Sequence, residues 1–194
     1  MNDTERFQKE NEQLRNRLVE LTQEVHRLKK LSETDGLTGL ANRRSFEKVV
    51  RQRFIEQSRG GNVFCLMMID VDEFKRINDR LGHSAGDQLL QNISSALERN
   101  LRSSDLIFRV GGDELAVILP NSEMAISVVV ANRIIDTMCC ALEDYRQYAA
   151  IGLSIGLVES IDHPSVEDLL DAADKAMYQA KKRGGNRCST DSSG

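Results

Sequence analysis

The chain has 194 residues, of which 40% are hydrophobic, and a net charge of −4 with a pI near 5.5. This length suits one domain with an appendage and allows a hydrophobic core, whereas the acidic balance argues against a nucleic-acid partner. No apolar run reaches membrane-spanning length and no signal peptide is visible, so we expect no membrane insertion and a cytoplasmic protein. The cysteines lack zinc-site spacing and are expected to be reduced: they are Cys65, Cys139, Cys140 and Cys188.

Residues 1–33 are polar except for one regular stripe of side chains with heptad spacing. The stripe consists of Phe7, Asn11, Leu14, Leu18, Leu21, Val25 and Leu28. Leucine at the d positions, with Val and a single Asn among the a positions, predicts a parallel two-stranded coiled coil and hence a homodimer. The alternative is a single amphipathic helix that lies on its own domain. The uninterrupted heptads and the charged flanks favour the dimer.

A turn-rich connector at 35–44 follows, and Ser45 is predicted to cap the next helix. The continuous apolar run 63–69 predicts a buried strand. It ends in Asp70-Val71-Asp72, where a buried strand meets solvent. Sites are commonly built at strand ends, so Asp70 is a candidate metal ligand. For Asp72 the favoured interpretation is a cap for the following helix.

That helix presents Phe74, Ile77 and Leu81 on one face, and Asn78 lies off this face. Gly82 is predicted to end it. A second helix opens at Ser84-Ala85-Gly86-Asp87, and Asp87 taken alone is best explained as the acidic member of a capping box.

Two short β-prone runs flank Gly111-Gly112 and predict a hairpin. Glycine tolerates the positive φ of a tight turn and lets a ligand approach the backbone closely. Asp113 and Glu114 follow at once, which suits a divalent cation together with a phosphorylated ligand. The alternative is a solvated hairpin tip with two solubilising carboxylates. The hairpin by itself leaves these two interpretations equal.

The remaining elements are a helix over 123–140, a strand over 148–158 and a helix that begins with a capping box at Ser165. Basic residues at 181–183 suit the end of that helix, which alone would explain Lys181. The polar tail 188–194 is expected to be flexible. The order α, α, β, α, α, β, β, α, β, α predicts an α/β sandwich with antiparallel pairing at the central hairpin.

Together these residues resemble a GGDEF-domain diguanylate cyclase, the family that condenses two GTP molecules into cyclic di-GMP. The likeness covers about 34–187 and rests on several ordered blocks, which is more specific than one short motif. The blocks are DGLTGLANRR at 35–44, IDVDEFKRINDRLGHSAGD at 69–87, RSSDLIFRVGGDEL at 102–115, SIG at 154–156 and YQAKKRGGN at 178–186. The resemblance implies a fold like class III nucleotidyl cyclases and the polymerase palm. The expected core is a mainly antiparallel five-stranded sheet wrapped by helices.

The resemblance also implies site residues. Asp70, the carbonyl of Val71 and Asp113 match metal-binding positions for Mg²⁺ or Mn²⁺, and Glu114 matches an acidic position at the second metal and the catalytic centre. Among the nucleotide-binding positions, Asn78 and Asp87 match the residues that recognise guanine. Phosphates are matched by the backbone N–H groups of Glu73, Phe74 and Lys75 and by the side chains of Lys75 and Lys181. Gly111 and Gly112 match the signature turn, which also contacts the substrate.

Two residues depart from the family's pattern. Leu115 replaces the last Phe of GGDEF, an apolar exchange that we expect to be tolerated. Gly185 stands where the family usually has Arg, so one phosphate contact is unassigned, with Arg183 and Arg187 as alternatives.

Regulation is also implied. Arg102 and Asp105 match an RxxD site for inhibition by the product, and Arg133 matches an arginine that completes it in some members. An ordinary surface pair is the alternative for Arg102 and Asp105. Two rival functions stand beside the cyclase: a catalytically silent receptor for GTP or cyclic di-GMP, and a coiled-coil signalling module. A regulatory protein that binds the stalk is a further expected partner.

Overall fold

A computed structural model describes residues 12–24 and 33–191. Residues 12–24 are helical (α1). The other helices are α2 (Arg43–Ser58), α3 (Phe74–Leu81), α4 (His83–Asn100), α5 (Met124–Leu142) and α6 (Val166–Lys182). The strands are β1 (Ala41–Asn42), β2 (Phe64–Asp72), β3 (Leu106–Arg109), β4 (Glu114–Pro120), β5 (Gly152–Glu159) and β6 (Arg187–Thr190). Single 3₁₀ turns lie at Glu143–Tyr145 and Ser160–Asp162.

The strands form one sheet in the order β1-β3-β4-β2-β5-β6. The inner pairs β3–β4, β4–β2 and β2–β5 are antiparallel, and both edge pairs, β1–β3 and β5–β6, are parallel. The expectation of a mainly antiparallel five-stranded sheet is therefore wrong: the described part of the chain has a mixed sheet of six strands. Sequence periodicity missed both edge strands because one has two residues and the other four.

Strand β6 also corrects the expected flexible tail after residue 187. Its four residues pair in parallel with β5, from Ser154 opposite Arg187 to Leu157 opposite Thr190. Ser189 is buried, and the half-buried Cys188 packs against the core. A polar composition hid this strand because an edge strand needs backbone hydrogen bonds more than apolar side chains.

The sheet separates two layers of helices, as the side chains of its central strand β2 show. Odd-numbered residues from Cys65 to Val71 pack towards α3, α4 and α5, and even-numbered residues from Phe64 to Met68 pack towards α2 and α6. Successive side chains of a strand point to opposite faces, so Asp70 and Asp72 lie on the α2/α6 face. Helix α6 approaches this face closely at Gly156, where a Cβ atom would overlap the backbone at Ala173 and Met177.

Three of the expected N-caps are wrong and one is confirmed, and Gly82 ends α3 as expected. Helix α2 is capped by Asn42, whose side chain accepts from the Ser45 N–H at 3.1 Å. The N-cap residues of α3 and α4 are Glu73 and Gly82, neither of which makes a side-chain cap hydrogen bond, so Asp72 and Ser84–Asp87 are not caps. Ser165 caps α6 and accepts from the Asp168 N–H.

The predicted stalk is described only in part. Residues 12–24 are helical, and Leu14, Leu18 and Leu21 are exposed in the single chain. The heptad residues Phe7, Asn11, Val25 and Leu28 lie outside the described residues. Within the described helices, none combines the length and the hydropathy that a membrane span requires.

Candidate active site

Carboxylates from two neighbouring central strands meet at one edge of the sheet, namely the edge at which β2 ends and β4 begins. Asp70 at the end of β2 lies directly opposite Glu114 at the start of β4. The backbone continues the pairing, because the Val71 N–H donates to the Asp113 carbonyl at 3.2 Å. The predicted hairpin is confirmed, and it places Asp113 in its turn beside the end of β2.

The hairpin turn needs a glycine for a reason other than the one expected. Neither Gly111 nor Gly112 has a positive φ. Instead, the Glu114 side chain lies directly against the α-carbon of Gly111, where a Cβ atom would collide with the carboxylate. The N–H groups of Val110 and Gly111 both donate to the Glu114 carbonyl. Gly111 therefore permits the Glu114 side chain to fold over its own turn.

Asp70 is the buried charge of this edge, with 7% of its surface exposed. Its carboxylate oxygen lies 2.6 Å from the Lys181 Nζ atom of α6. Burial raises the pKa of the Asp70 carboxyl; Lys181 opposes this effect, and the negative charges of Asp113 and Asp72 add to it. A second cation at this edge would relieve the remaining repulsion.

The donor atoms at this edge suit a hard divalent cation. Asp70, Asp113 and Glu114 offer carboxylate oxygens, and Val71 offers a carbonyl, which are the ligands that Mg²⁺ and Mn²⁺ prefer. Within residues 12–24 and 33–191, no three His, Cys, Asp or Glu side chains already stand in an arrangement that would hold a metal. The Lys181 ammonium is the cation that pairs with Asp70 in this structure.

Asn78 supplies an unpaired acceptor on α3, the helix that follows β2. Its Oδ1 atom is buried and has no hydrogen-bond partner. The Asn78 amide abuts Gly86 at the start of α4, where a Cβ atom would collide with it. The neighbouring Asp87 is exposed. An orphaned buried carbonyl oxygen is rare in folded proteins, and a ligand that donates a hydrogen bond would satisfy it.

The link between β2 and α3 is a backbone turn with an unusual dihedral angle. Glu73 has φ 56°, which only a small share of residues other than glycine adopt. Its carbonyl accepts from the N–H groups of Arg76 and Ile77. The N–H groups at the start of a helix have no acceptor within the helix, so those of Phe74 and Lys75 are available to an anion. The Lys75 side chain is exposed.

Arg109 and Asp35 are a pair that the sequence analysis did not identify. Arg109 donates through Nη1 to both Asp35 oxygens, at 3.0 and 3.2 Å. Its Nη2 donates to the Gly112 carbonyl at 2.8 Å, and its Nε donates to the Gly111 carbonyl at 3.2 Å. The connector after the stalk is thus tied to the signature turn. A separation of 74 residues leaves no local pattern that would reveal this pair.

The predicted product site lies at the opposite end of the hairpin. Asp105 accepts from the Arg102 N–H at 2.8 Å and so closes a turn, while the Arg102 side chain is exposed. Arg133 on α5 donates to the Asn100 carbonyl at 2.6 Å, which brings it beside this turn. Arg102 and Asp105 also line a cavity of about 850 Å³ below the connector. Strand β3 separates them from the Gly111 turn by roughly 13 Å.

Comparison with known proteins gives a family for this arrangement. The profile described as "Diguanylate cyclase, GGDEF domain" matches residues 32–187. Diguanylate cyclase DosC of Escherichia coli K12 is 38% identical over 157 residues, which is 79% of this chain. This chain spans about a third (34%) of the length of DosC.

Two solved structures extend the likeness. The coiled coil and GGDEF domain of DgcB from Caulobacter crescentus, in complex with c-di-GMP, is 30% identical with a TM-score of 0.75, covering 91% of this chain and 98% of that one. Diguanylate cyclase SiaD of Pseudomonas aeruginosa, in complex with its activator SiaC, is 31% identical with a TM-score of 0.74, covering 96% of this chain and 75% of that one. Because the family profile matches residues 32–187 and the fold is similar to that of the DgcB GGDEF domain, this chain belongs to the GGDEF-domain family of diguanylate cyclases.

Proposed function

We propose that this protein is a diguanylate cyclase that converts two GTP molecules into cyclic di-GMP and two pyrophosphates. The observation that carries the proposal is the buried Asp70 carboxylate, held opposite Glu114 and beside Asp113 at one strand end. A buried carboxylate with further negative charges around it is unfavourable for folding alone. Such an arrangement is typical of a site that handles cations and phosphates.

Asp70, the Val71 carbonyl, Asp113 and Glu114 would hold Mg²⁺ or Mn²⁺. A bound divalent ion would lower the pKa of a hydroxyl nucleophile and neutralise charge on the pyrophosphate leaving group. Lys181, which pairs with Asp70 at 2.6 Å, would then turn to the phosphates of the nucleotide.

The other residues of the edge bind and orient GTP. The Asn78 carbonyl oxygen accepts from the exocyclic amine of guanine, and the Asp87 carboxylate accepts from the ring N–H, a donor that adenine lacks. The N–H groups of Glu73, Phe74 and Lys75 bind the β- and γ-phosphates at the start of α3, together with the Lys75 ammonium. The orphaned Asn78 oxygen supports this assignment.

In the reaction, the 3′-hydroxyl oxygen of one GTP forms a bond to the α-phosphorus of the other. The bond from that phosphorus to the bridging oxygen breaks in line, and pyrophosphate leaves with the bonding electrons. Asp113 or Glu114 takes the hydroxyl proton. The step occurs twice, with the two nucleotides exchanging roles, and closes the ring of cyclic di-GMP.

Each domain presents one GTP, so two domains must face each other. We propose that the stalk at residues 1–33 forms a parallel coiled coil and raises the local concentration of the partner domain. The exposed Leu14, Leu18 and Leu21 on α1 support this proposal. The stalk would also accept a regulatory protein, since the neighbour SiaD is described in complex with an activator.

We propose feedback by the product at Arg102, Asp105 and Arg133. Arg can bind phosphate oxygens or the O6/N7 edge of guanine through two hydrogen bonds. Because this site lies at the far end of the hairpin, bound cyclic di-GMP would inhibit without competing with GTP. We also propose a cytoplasmic location, which the consumption of GTP and the free thiols of Cys65, Cys140 and Cys188 support.

Purified protein with GTP and Mg²⁺, followed by nucleotide chromatography, tests the function. We expect cyclic di-GMP and pyrophosphate from the unmutated chain, and none from Asp70→Ala, Asp113→Ala or Glu114→Ala variants that remain folded. Asp171→Ala is the matched control, because Asp171 makes only an exposed pair with Lys175 on α6. Wild-type turnover in any folded active-site variant would contradict the metal assignment. No product from the unmutated chain, with GTP or cyclic di-GMP still bound, would favour the receptor; neither product nor binding would favour the coiled-coil module.

A further inference from the structure

Asp72 makes two hydrogen bonds that join three parts of the chain. It lies on the same face of β2 as Asp70, two residues further along, at the point where the strand ends. One carboxylate oxygen accepts from the Ser154 hydroxyl of β5 at 2.6 Å. The other accepts from the Asn186 N–H at 2.7 Å, in the loop after α6.

That loop has an unusual backbone. Gly184, Gly185 and Asn186 have φ of 106°, 69° and 46°, so three consecutive residues are left-handed. The Gly184 and Gly185 N–H groups donate to the carbonyls of Lys181 and Ala180. The loop is therefore fixed on one side to the last turn of α6 and on the other side to Asp72.

Gly185 is required by the same contact. A Cβ atom at Gly185 would lie 2.6 Å from a carboxylate oxygen of Asp72, which is closer than real Cβ atoms come. The φ of 69° at Gly185 would strain any other side chain as well, so this loop conformation disfavours a residue with a Cβ atom here. Arg187 lies against the same loop, because its Nε donates to the Gly185 carbonyl at 3.1 Å.

These contacts matter for the site because Lys181 lies in the turn of α6 that the loop closes, with its Nζ at Asp70. We propose that Asp72 is a positioning residue: through Asn186 and Ser154 it fixes the loop 184–187, and so holds Lys181 and Arg187 towards the triphosphate. This inference rests on the proposed function. It also selects Arg187, rather than Arg183 at the C-cap of α6, as the residue that replaces the missing phosphate contact.

The test compares binding of two probes in the presence of Mg²⁺: GMP, and a GTP analogue with a methylene group between the α- and β-phosphates. The affinity for the GTP analogue divided by the affinity for GMP measures the contribution of the terminal phosphates, and we call this quotient the affinity ratio. We expect Asp72→Ala to lower this ratio at least about fivefold, since a displaced cation loses a charge-assisted contact. The affinity for GMP should change less than about twofold, because the guanine residues are untouched.

Ser165→Ala is the matched control. It removes the N-cap of the same helix and weakens α6 from its other end by about 1 kcal/mol, without touching the loop. The affinity ratio should be unchanged in this variant. Asp72→Asn should restore part of the ratio, since one amide oxygen can still accept from the Asn186 N–H.

Arg187→Ala and Arg183→Ala form the second matched pair, and only the first should lower the ratio. Three results would overturn the inference. The affinity ratio of folded Asp72→Ala could equal that of the unmutated chain, or Asp72→Ala and Ser165→Ala could lower the ratio equally. The third is an equal change of the ratio in Arg187→Ala and Arg183→Ala. If Asp72→Ala does not fold, Asp72→Asn and Ser154→Ala decide by the same ratio. An unmutated chain that does not prefer the triphosphate would instead refute the proposed function, so the two failures are distinguishable.

Discussion

The buried charge of Asp70 predicts that this residue destabilises the free domain. Replacing it with Asn preserves the shape of the side chain and removes the negative charge. Burial, reinforced by Asp113 and Asp72, raises the pKa of the carboxyl despite Lys181, so the ionised form is disfavoured in the fold. Lys181 is 39% exposed, and such a half-exposed pair contributes at most about 1 kcal/mol. We therefore expect the relief of the buried charge to exceed the loss of the pair.

The expected gain is about 1 kcal/mol in the free energy of unfolding, which raises the Tm by roughly 2–4 °C for a chain of this size. Thermal melts without metal measure it, with Asp171→Asn as a surface control that should stay within about 0.5 kcal/mol. Added Mg²⁺ at ten times its Kd should stabilise the unmutated chain by about 1.4 kcal/mol, and should not stabilise Asp70→Asn. A lower Tm for Asp70→Asn would refute the reasoning, because the Lys181 pair would then outweigh the burial.

Three further predictions concern other parts of the chain. Deleting residues 1–32 should lower specific activity steeply at dilute protein and less at high concentration. High specific activity that does not depend on protein concentration would contradict dimerisation through the stalk. Arg102→Ala should raise the final yield of cyclic di-GMP and weaken its binding, and an affinity for cyclic di-GMP equal to that of the unmutated chain in equilibrium titration would show that Arg102 and Asp105 are an ordinary surface pair. Burial alone would raise the pKa of Asp35, but bonds from Thr38 and Arg109 outweigh it and lower the pKa. Its stabilisation is complete above the ordinary pKa of 3.8 and disappears as the pH falls through the lower folded value. Urea unfolding should therefore show a lower free energy of unfolding for Asp35→Asn than for the unmutated chain, with the full difference at pH 6 and a smaller one only below pH 3.8. A difference that stays constant to pH 2 would contradict this.

The sequence predicted the elements that have strong local patterns. The apolar run before Asp70 gives β2, the glycine pair before Asp113 gives the hairpin, and Ser165 gives the start of α6. Each of these signals lies within a few residues of the feature that it specifies. The family was recognised for the same reason, since its motif blocks are short and ordered along the chain.

The contacts that organise the site could not be predicted, because they join residues far apart in the sequence. Ser154 and Asn186 lie 82 and 114 residues from Asp72, whereas the local pattern around Asp72 favoured a helix cap. The need for glycine at 111 and 185 is also tertiary, because carboxylates of Glu114 and Asp72 occupy the space of their side chains. A sequence shows that a residue is glycine, and only the fold shows what excludes a Cβ atom there.

The alternation of side chains along β2 explains why the proposed metal ligand Asp70 and the proposed positioning residue Asp72 both lie against α6. Asp70 and Asp72 are two residues apart on β2, so they face α6 together. Asp70 pairs with Lys181 in the last turn of that helix, and Asp72 binds the loop that follows it. One carboxylate would bind the metal and the other would fix the cations that meet the phosphates. A one-residue shift in the register of β2 would turn both carboxylates into the opposite layer, so β2 and α6 must be held in a single relative position for the proposed reaction to occur.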